Sequence, residues 1–151
     1  MGELNTGKSN IKSLREIFDS SNVSIHKWEN YFEIYENYFK AFRNNKPKLL
    51  EIGVQYGGSL KMWDEYFHNA KIYGIDINPD CKNLAKNNID IQIGSQNDKA
   101  FLKRYADYVK SLDIIIDDGG HTMEQQLNTF KILFPILSDG GIYIVEGVES
   151  S

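Results

Sequence analysis

The chain carries a single cysteine, Cys81, and one thiol cannot close an intramolecular disulfide. This excludes a disulfide-stapled secreted scaffold and reads as a reduced, cytoplasmic protein with an idle or buried thiol. No apolar run approaches the ~18 residues that a membrane span needs, and no charged, then apolar, then small-residue leader opens the sequence. Neither a membrane span nor a signal peptide is expected. Basic residues are scattered and the formal net charge is −4. Holding nucleic acid by phosphate neutralisation needs a clustered basic face, so that partner class is excluded. What is present is ordinary for one globular domain: 41% hydrophobic and 25% charged residues over 151 positions, a length that lets roughly 68–70% of the unfolded surface be buried.

Two N-terminal patterns are decoys. Gly2 to Ser9 fits the letter of the phosphate-binding pattern G-x-x-x-x-G-K-[ST], but that loop works only when a buried strand delivers it to a helix, and only Met1 precedes it. Met1-Gly2 with Thr6 satisfies a loose myristoylation pattern, yet no basic patch or second anchor accompanies it. Residues 1–24 are read as a flexible leader with a short helix, and residues 25–151 as one domain. In that domain Trp28, Tyr31, Phe32, Tyr35, Tyr38, Phe39 and Phe42 recur at three-and-four spacing, the stripe of an amphipathic helix over 25–45 whose aromatics cover a sheet. Pro47 ends it, because proline disfavours helical geometry in the preceding residue.

Beyond Pro47 short apolar runs alternate with helix-like stretches, the signature of βαβ units. Strands are expected at Lys48–Gly53, Lys71–Asp76, Ile89–Ile93, Asp113–Asp117 and Gly141–Glu146. Helices fall between them at Leu60–His68, Pro79–Lys86, Lys99–Val109 and Met123–Leu137. Ile114 to Ile116 are apolar on both faces, as a sheet covered on two sides requires. The fold class is α/β, a Rossmann-like doubly wound parallel sheet with an N-terminal amphipathic helix.

In such a sheet ligands bind outside the carboxyl ends of the strands. The first turn reads Glu51-x-Gly53-x-x-x-Gly57-Gly58-Ser59, with glycines that admit close backbone approach and Ser59 placed to cap the next helix. Its spacing is not the G-x-G-x-x-G of dinucleotide binders. A strand-borne acid before a looser turn suits a ligand with a cationic end and no phosphates, such as S-adenosylmethionine. Asp76 closes the second strand, placed for two ribose hydroxyls. Gln96, in the Gly94 to Asp98 turn, is a candidate for an adenine edge, with capping by Asn97 or Asp98 the alternative. The fourth strand ends in Asp117-Asp118-Gly119-Gly120-His121. A carboxylate there can hold a hard divalent cation, and a neutral imidazole is a competent base near pH 7. The bland alternative makes Asp118 a helix cap and His121 the start of the helix. Glu146 adds an acid at the end of the fifth strand, whereas His26 and His68 stand without such company.

From about residue 25 onward the sequence resembles the class I methyltransferases typified by the metal-dependent sugar O-methyltransferases of macrolide biosynthesis and the related cephamycin-pathway protein. The resemblance rests on His26-Lys27-Trp28 with Tyr35-Glu36, Leu50 to Val54 with Gly57-Gly58-Ser59, Gly74-Ile75-Asp76, Ile116 to His121, and Tyr143 to Glu146. With the strand-end reading above, the S-adenosylmethionine site is expected at Glu51, Gly53, Gly57, Gly58, Ser59, Asp76, Gln96 and Asp117. The resemblance also implies magnesium at Asp118 and Glu146, and His121 as the base that deprotonates an acceptor hydroxyl. The family continues Glu-Asp where this sequence has Glu146-Gly147, and carries two further strands after the fifth, so a C-terminally truncated domain is expected.

The function expected is methyl transfer to a small, sugar-like hydroxylated acceptor, with assembly into a homo-oligomer left open. Two rivals stand beside it. An NAD-dependent oxidoreductase fits Asp76 but not the glycine spacing. A non-catalytic or degenerate fragment that binds S-adenosylmethionine gains from Gly147.

Overall fold

The computed structural model describes residues 12–20, 31–120 and 122–146. Two short helices, α1 (Leu14–Ser20) and α2 (Tyr31–Phe39), precede the sheet, and a 3-10 turn, Lys40–Phe42, extends α2. The remaining elements are β1 (Lys48–Ile52), α3 (Gly58–Tyr66), β2 (Lys71–Asp76), a 3-10 turn Pro79–Leu84, β3 (Ile89–Ile93), α4 (Lys99–Val109), β4 (Leu112–Asp117), α5 (Met123–Leu133), a 3-10 turn Phe134–Ile136 and β5 (Leu137–Val145). All strand pairs are parallel and the sheet order is β3-β2-β1-β4-β5. The order reverses between β1 and β4, which opens a crevice at their carboxyl ends.

Strand side chains alternate between two cores. Leu49, Ile72, Ile91, Ile114 and Ile116 face α1, α2 and α3, where Leu14, Ile17, Tyr35, Phe39, Trp63 and Phe67 are buried. Leu50, Ile52, Tyr73, Ile75 and Ile115 face α4 and α5, against Leu102, Tyr105, Val109 and Leu133. Trp63 is the hub of the first layer, its ring 5.4 Å from those of both Tyr35 and Phe39 in edge geometry. Glu36 fastens the layer. One carboxylate oxygen accepts the Leu14 backbone N–H at 2.8 Å at the start of α1, and the other accepts the Tyr66 hydroxyl.

Several expectations shift. The N-terminal helix is not continuous to 45, since the last turn tightens to 3-10 ahead of Lys46 at φ 51°; residues 25–30 of the expected helix lie outside the described residues. Its stripe is narrower than the spacing suggests, with Tyr35 and Phe39 buried but Tyr38 58% exposed. Pro79 opens a 3-10 turn rather than an α-helix, capped by the Asn78 side chain. The helix expected to reach Leu137 ends at Leu133, because Pro135 lacks the N–H that another turn would use, and β5 begins at Leu137 rather than Gly141. In α5 the apolar positions Met123, Leu127 and Phe130 are exposed, while the buried positions are Gln126, Thr129 and Leu133. Among the described residues no helix is long and apolar enough to cross a membrane.

Candidate functional site

Three turns meet at the carboxyl end of the sheet. The first follows β1, where Gly53 at φ 89° packs against the turn after β4: a Cβ there would lie 2.7 Å from the Asp118 carbonyl oxygen and 2.8 Å from Gly119 Cα. The sequence suggested glycine for approach to a ligand; at Gly53 the close neighbour is backbone from β4. Gly57, at φ 83°, is the N-cap of α3. Ser59, expected to be the cap, is instead the second residue of that helix, two positions too far along to serve.

Asp76 binds the turns together. Its Oδ2 accepts the backbone N–H groups of Val54 at 2.8 Å and Gln55 at 3.0 Å, and its Oδ1 accepts that of Asn78 at 2.9 Å. A carboxylate has about four acceptor positions. Three are used, so the acid expected to take two ribose hydroxyls has room for about one more bond and otherwise shapes the loop. Gln55 is held at φ 55°, an uncommon conformation for a side chain with a Cβ.

Around these turns lies a cleft of about 280 Å³, walled by Gly53, Asp76, Ile77, the Gly94 to Asn97 turn and Asp118-Gly119. A second hollow of about 540 Å³ is lined by Gln55, Tyr56, Asp76, Asp80 and Cys81. Between the glycine turn and Asp118 a water-sized crevice reaches Glu51 and Ser59. Glu51 is 1% exposed and accepts the Trp63 indole N–H at 3.0 Å. The Cys81 thiol is buried, donates to the Gln55 carbonyl at 3.2 Å, and is pushed above its ordinary pKa by burial and then by Asp76.

Gln96 lines the cleft, and Asp117 sits behind it. The Gln96 amide donates to both Asp117 oxygens at 3.3 and 3.2 Å and to Thr129 Oγ1 at 2.8 Å, and Asp117 is fully buried. Burial raises the Asp117 pKa, opposed by the Gly119 N–H, the Gln96 amide and the Gly120 N–H. Asp98 accepts the Phe101 N–H as the N-cap of α4, which is the capping role weighed for this turn. The N-cap of α5 is Thr122 and not Asp118, and Asp118 lines the cleft and the crevice.

Glu146 follows β5, its backbone N–H donating to the Asp117 carbonyl at 2.8 Å. Among the described residues no group of three or more His, Cys, Asp and Glu is arranged to hold a metal ion. Three carboxylates do share a neighbour. The Tyr35 hydroxyl, raised well above the ordinary tyrosine pKa first by burial, is pushed further by Glu146, Glu51 and Asp118. His121 and Gly147 lie outside the described residues. Sequence reasoning did not single out Gln55, Trp63 or Gln126 for the site. Only Gln126 left a signal, as a polar residue at a sheet-facing position of its helix.

A nucleotide-type cleft at the switch point of a five-stranded parallel sheet, lined by an acid on β2 and a glycine turn after β1, defines a Rossmann-like α/β domain. A family model described as a methyltransferase domain matches residues 50–146, and the chain belongs to this methyltransferase family. It is 37% identical over 126 residues to the 8-demethyl-8-(2-methoxy-alpha-L-rhamnosyl)-tetracenomycin-C 3'-O-methyltransferase of Streptomyces olivaceus, covering 79% of this chain and 32% of that protein. It is 39% identical over 119 residues to the demethylmacrocin O-methyltransferase of Streptomyces fradiae, covering 74% and 30%. The solved MycE methyltransferase of the mycinamycin biosynthetic pathway, in complex with Mg, SAH and mycinamycin VI, superposes with a TM-score of 0.79 at 34% identity, over 90% of this chain and 37% of that one. The chain thus spans about a third of the length of these relatives.

Proposed function

We propose that residues 25–151 form the S-adenosylmethionine-binding core of an O-methyltransferase that acts on a hydroxyl of a small, sugar-like acceptor. The observation that carries this reading is the single cleft on which the Gly53 to Gly57 turn, Asp76 and the Asp118-Gly119 turn converge. The cleft fits the cofactor chemically. Asp76 retains about one acceptor position for a ribose hydroxyl, exposed Ile77 offers an apolar wall for adenine, and Asp118, with Glu51 in the adjoining water-sized crevice, offers an acid to the cationic end. The cofactor supplies a sulfonium-activated methyl group.

His121 would take the acceptor hydroxyl proton, so that the oxygen could bond to the methyl as the methyl–sulfur bond breaks and S-adenosylhomocysteine leaves as a neutral thioether. Asp118 and Glu146, hard oxygen donors at adjacent strand ends, suit magnesium whose other positions go to water and acceptor oxygen. Such an ion would lower the pKa of the acceptor hydroxyl. The protein's own contribution is alignment of the acceptor with the methyl, which accounts for several kcal/mol of barrier where near-attack geometry is held.

The test is titration calorimetry with S-adenosylmethionine, followed by transfer of a labelled methyl group to methyl α-L-rhamnoside with magnesium. The His121→Ala variant should lose turnover and keep cofactor affinity. Loss of cofactor binding in that variant would overturn the role given to His121. Wild-type protein that binds NAD in place of S-adenosylmethionine would favour the oxidoreductase, and binding without transfer would favour the non-catalytic fragment.

A further inference from the structure

The buried face of α5 breaks the binary pattern of a core helix at one place. Gln126 is 7% exposed and faces the sheet in line with Thr129 and Leu133, where an apolar residue would satisfy packing. Its amide Nε2 donates to the Gly120 carbonyl and to the Glu146 carbonyl, each at 3.3 Å. An amide nitrogen has two hydrogens, one for each carbonyl. The approach is close: a Cβ on Gly120 would lie 2.9 Å from Gln126 Cγ. Glu146 is gripped on both sides, since its own N–H donates to the Asp117 carbonyl. The neighbouring Gln125 lines the cleft, whereas Gln126 spans the backbone of two chain segments behind it.

We propose that Gln126 is a positioning residue for methyl transfer, its amide fixing the spacing between the turn that leads into His121 and the strand end that carries Glu146. This rests on the transferase reading above. The two segments come from different strands, and among the described residues β5 pairs with β4 and with no other strand. The amide is a rigid fork that ties the turn after β4 to the end of β5. A misplacement of about 1 Å can cost on the order of 100-fold in rate, so losing this tie should act on turnover while the cofactor cleft stays intact.

The experiment compares wild type with Gln126→Met, which keeps the volume and helix propensity but removes both donors. We expect kcat to fall by about 10- to 100-fold, half-saturating magnesium to rise, and S-adenosylmethionine affinity to stay within about twofold. A merely structural role would move cofactor affinity and turnover together, and that result overturns the proposal, as does a kcat equal to wild type. If Gln126→Met does not fold, Gln126→Asn carries the test, because it keeps the amide but withdraws it by one methylene. Its kcat should fall with cofactor affinity retained, and wild-type turnover in it refutes the spacing role. Wild-type protein without transfer activity counts against the transferase reading alone. Positioning is then judged by hydrogen exchange, where faster exchange confined to Gly120, Thr122 and 143–146 in the methionine variant supports it and unchanged exchange overturns it.

Discussion

Replacing Gly53 by alanine measures how tightly the first turn is locked to the fourth strand. Two costs combine. A side chain in the left-handed region costs on the order of 1–2 kcal/mol, and the structure places Gly53 there at φ 89°. The new methyl would also stand 2.7 Å from the Asp118 carbonyl oxygen and 2.8 Å from Gly119 Cα. Both are backbone atoms that cannot swing aside, so overpacking of about 1–3 kcal/mol adds to the strain. The sum, about 2–5 kcal/mol, is a large part of the 5–15 kcal/mol that holds a whole domain. At about 2–4 °C per kcal/mol for a chain of this size, Tm should fall by about 4–20 °C. Gly140 supplies an internal control, having φ 78° and nothing within 4 Å of an added Cβ. Gly140→Ala carries only the conformational cost and should lose about 2–8 °C on the same scale. Thermal melts followed by circular dichroism, with S-adenosylmethionine calorimetry on both variants, decide the matter. Equal Tm losses would refute the steric contact between the two turns, and unimpaired cofactor affinity in Gly53→Ala would refute its place in the cleft.

Further perturbations test other parts of the site. Trp63→Phe removes the indole donor from buried Glu51, and a double-mutant cycle with Glu51→Gln in urea denaturation should return a coupling of about 1–3 kcal/mol; additive effects would show that the bond at 3.0 Å is immaterial. Asp76→Asn leaves one acceptor oxygen for three backbone N–H groups. Its cofactor affinity should drop at least about tenfold, the equivalent of 1.4 kcal/mol, with faster hydrogen exchange at residues 54–57, and wild-type affinity would contradict the part Asp76 plays in shaping the loop. Cys81 should react with Ellman's reagent far more slowly than a free thiol at pH 8. Because its pKa is raised by burial and Asp76, the rate should still be climbing at pH values where a free thiol has levelled off, and a plateau near pH 8.5 would contradict this.

The sheet was legible because each strand is a short run of β-branched and apolar residues bounded by turn formers, as in Lys71–Asp76 and Ile89–Ile93, whose bounds are those expected. The helices were less legible where local chemistry competes with periodicity. Pro79 and Pro135 redirect two segments into 3-10 turns, and in α5 the apolar Met123 and Leu127 are exposed while Gln126 and Thr129 are buried. Glycines could be recognised as special from the sequence, but not what each one meets. Gly53 looked like space for a ligand, and the space is taken by the backbone of Asp118 and Gly119.

By itself the sequence determined the parallel α/β class, the glycine turn, and the acids at the strand ends, because these follow from local patterning and from where a doubly wound sheet binds ligands. Only tertiary structure decided which acids face the cleft. Asp117 and Asp118 are adjacent in the chain, yet Asp117 is fully buried against Gln96 while Asp118 lines the cleft. Side chains one residue apart at a strand end point to opposite faces, and what waits on each face is set by residues far away in sequence: Gln96 and Thr129 behind, and the glycine turn after β1 in front.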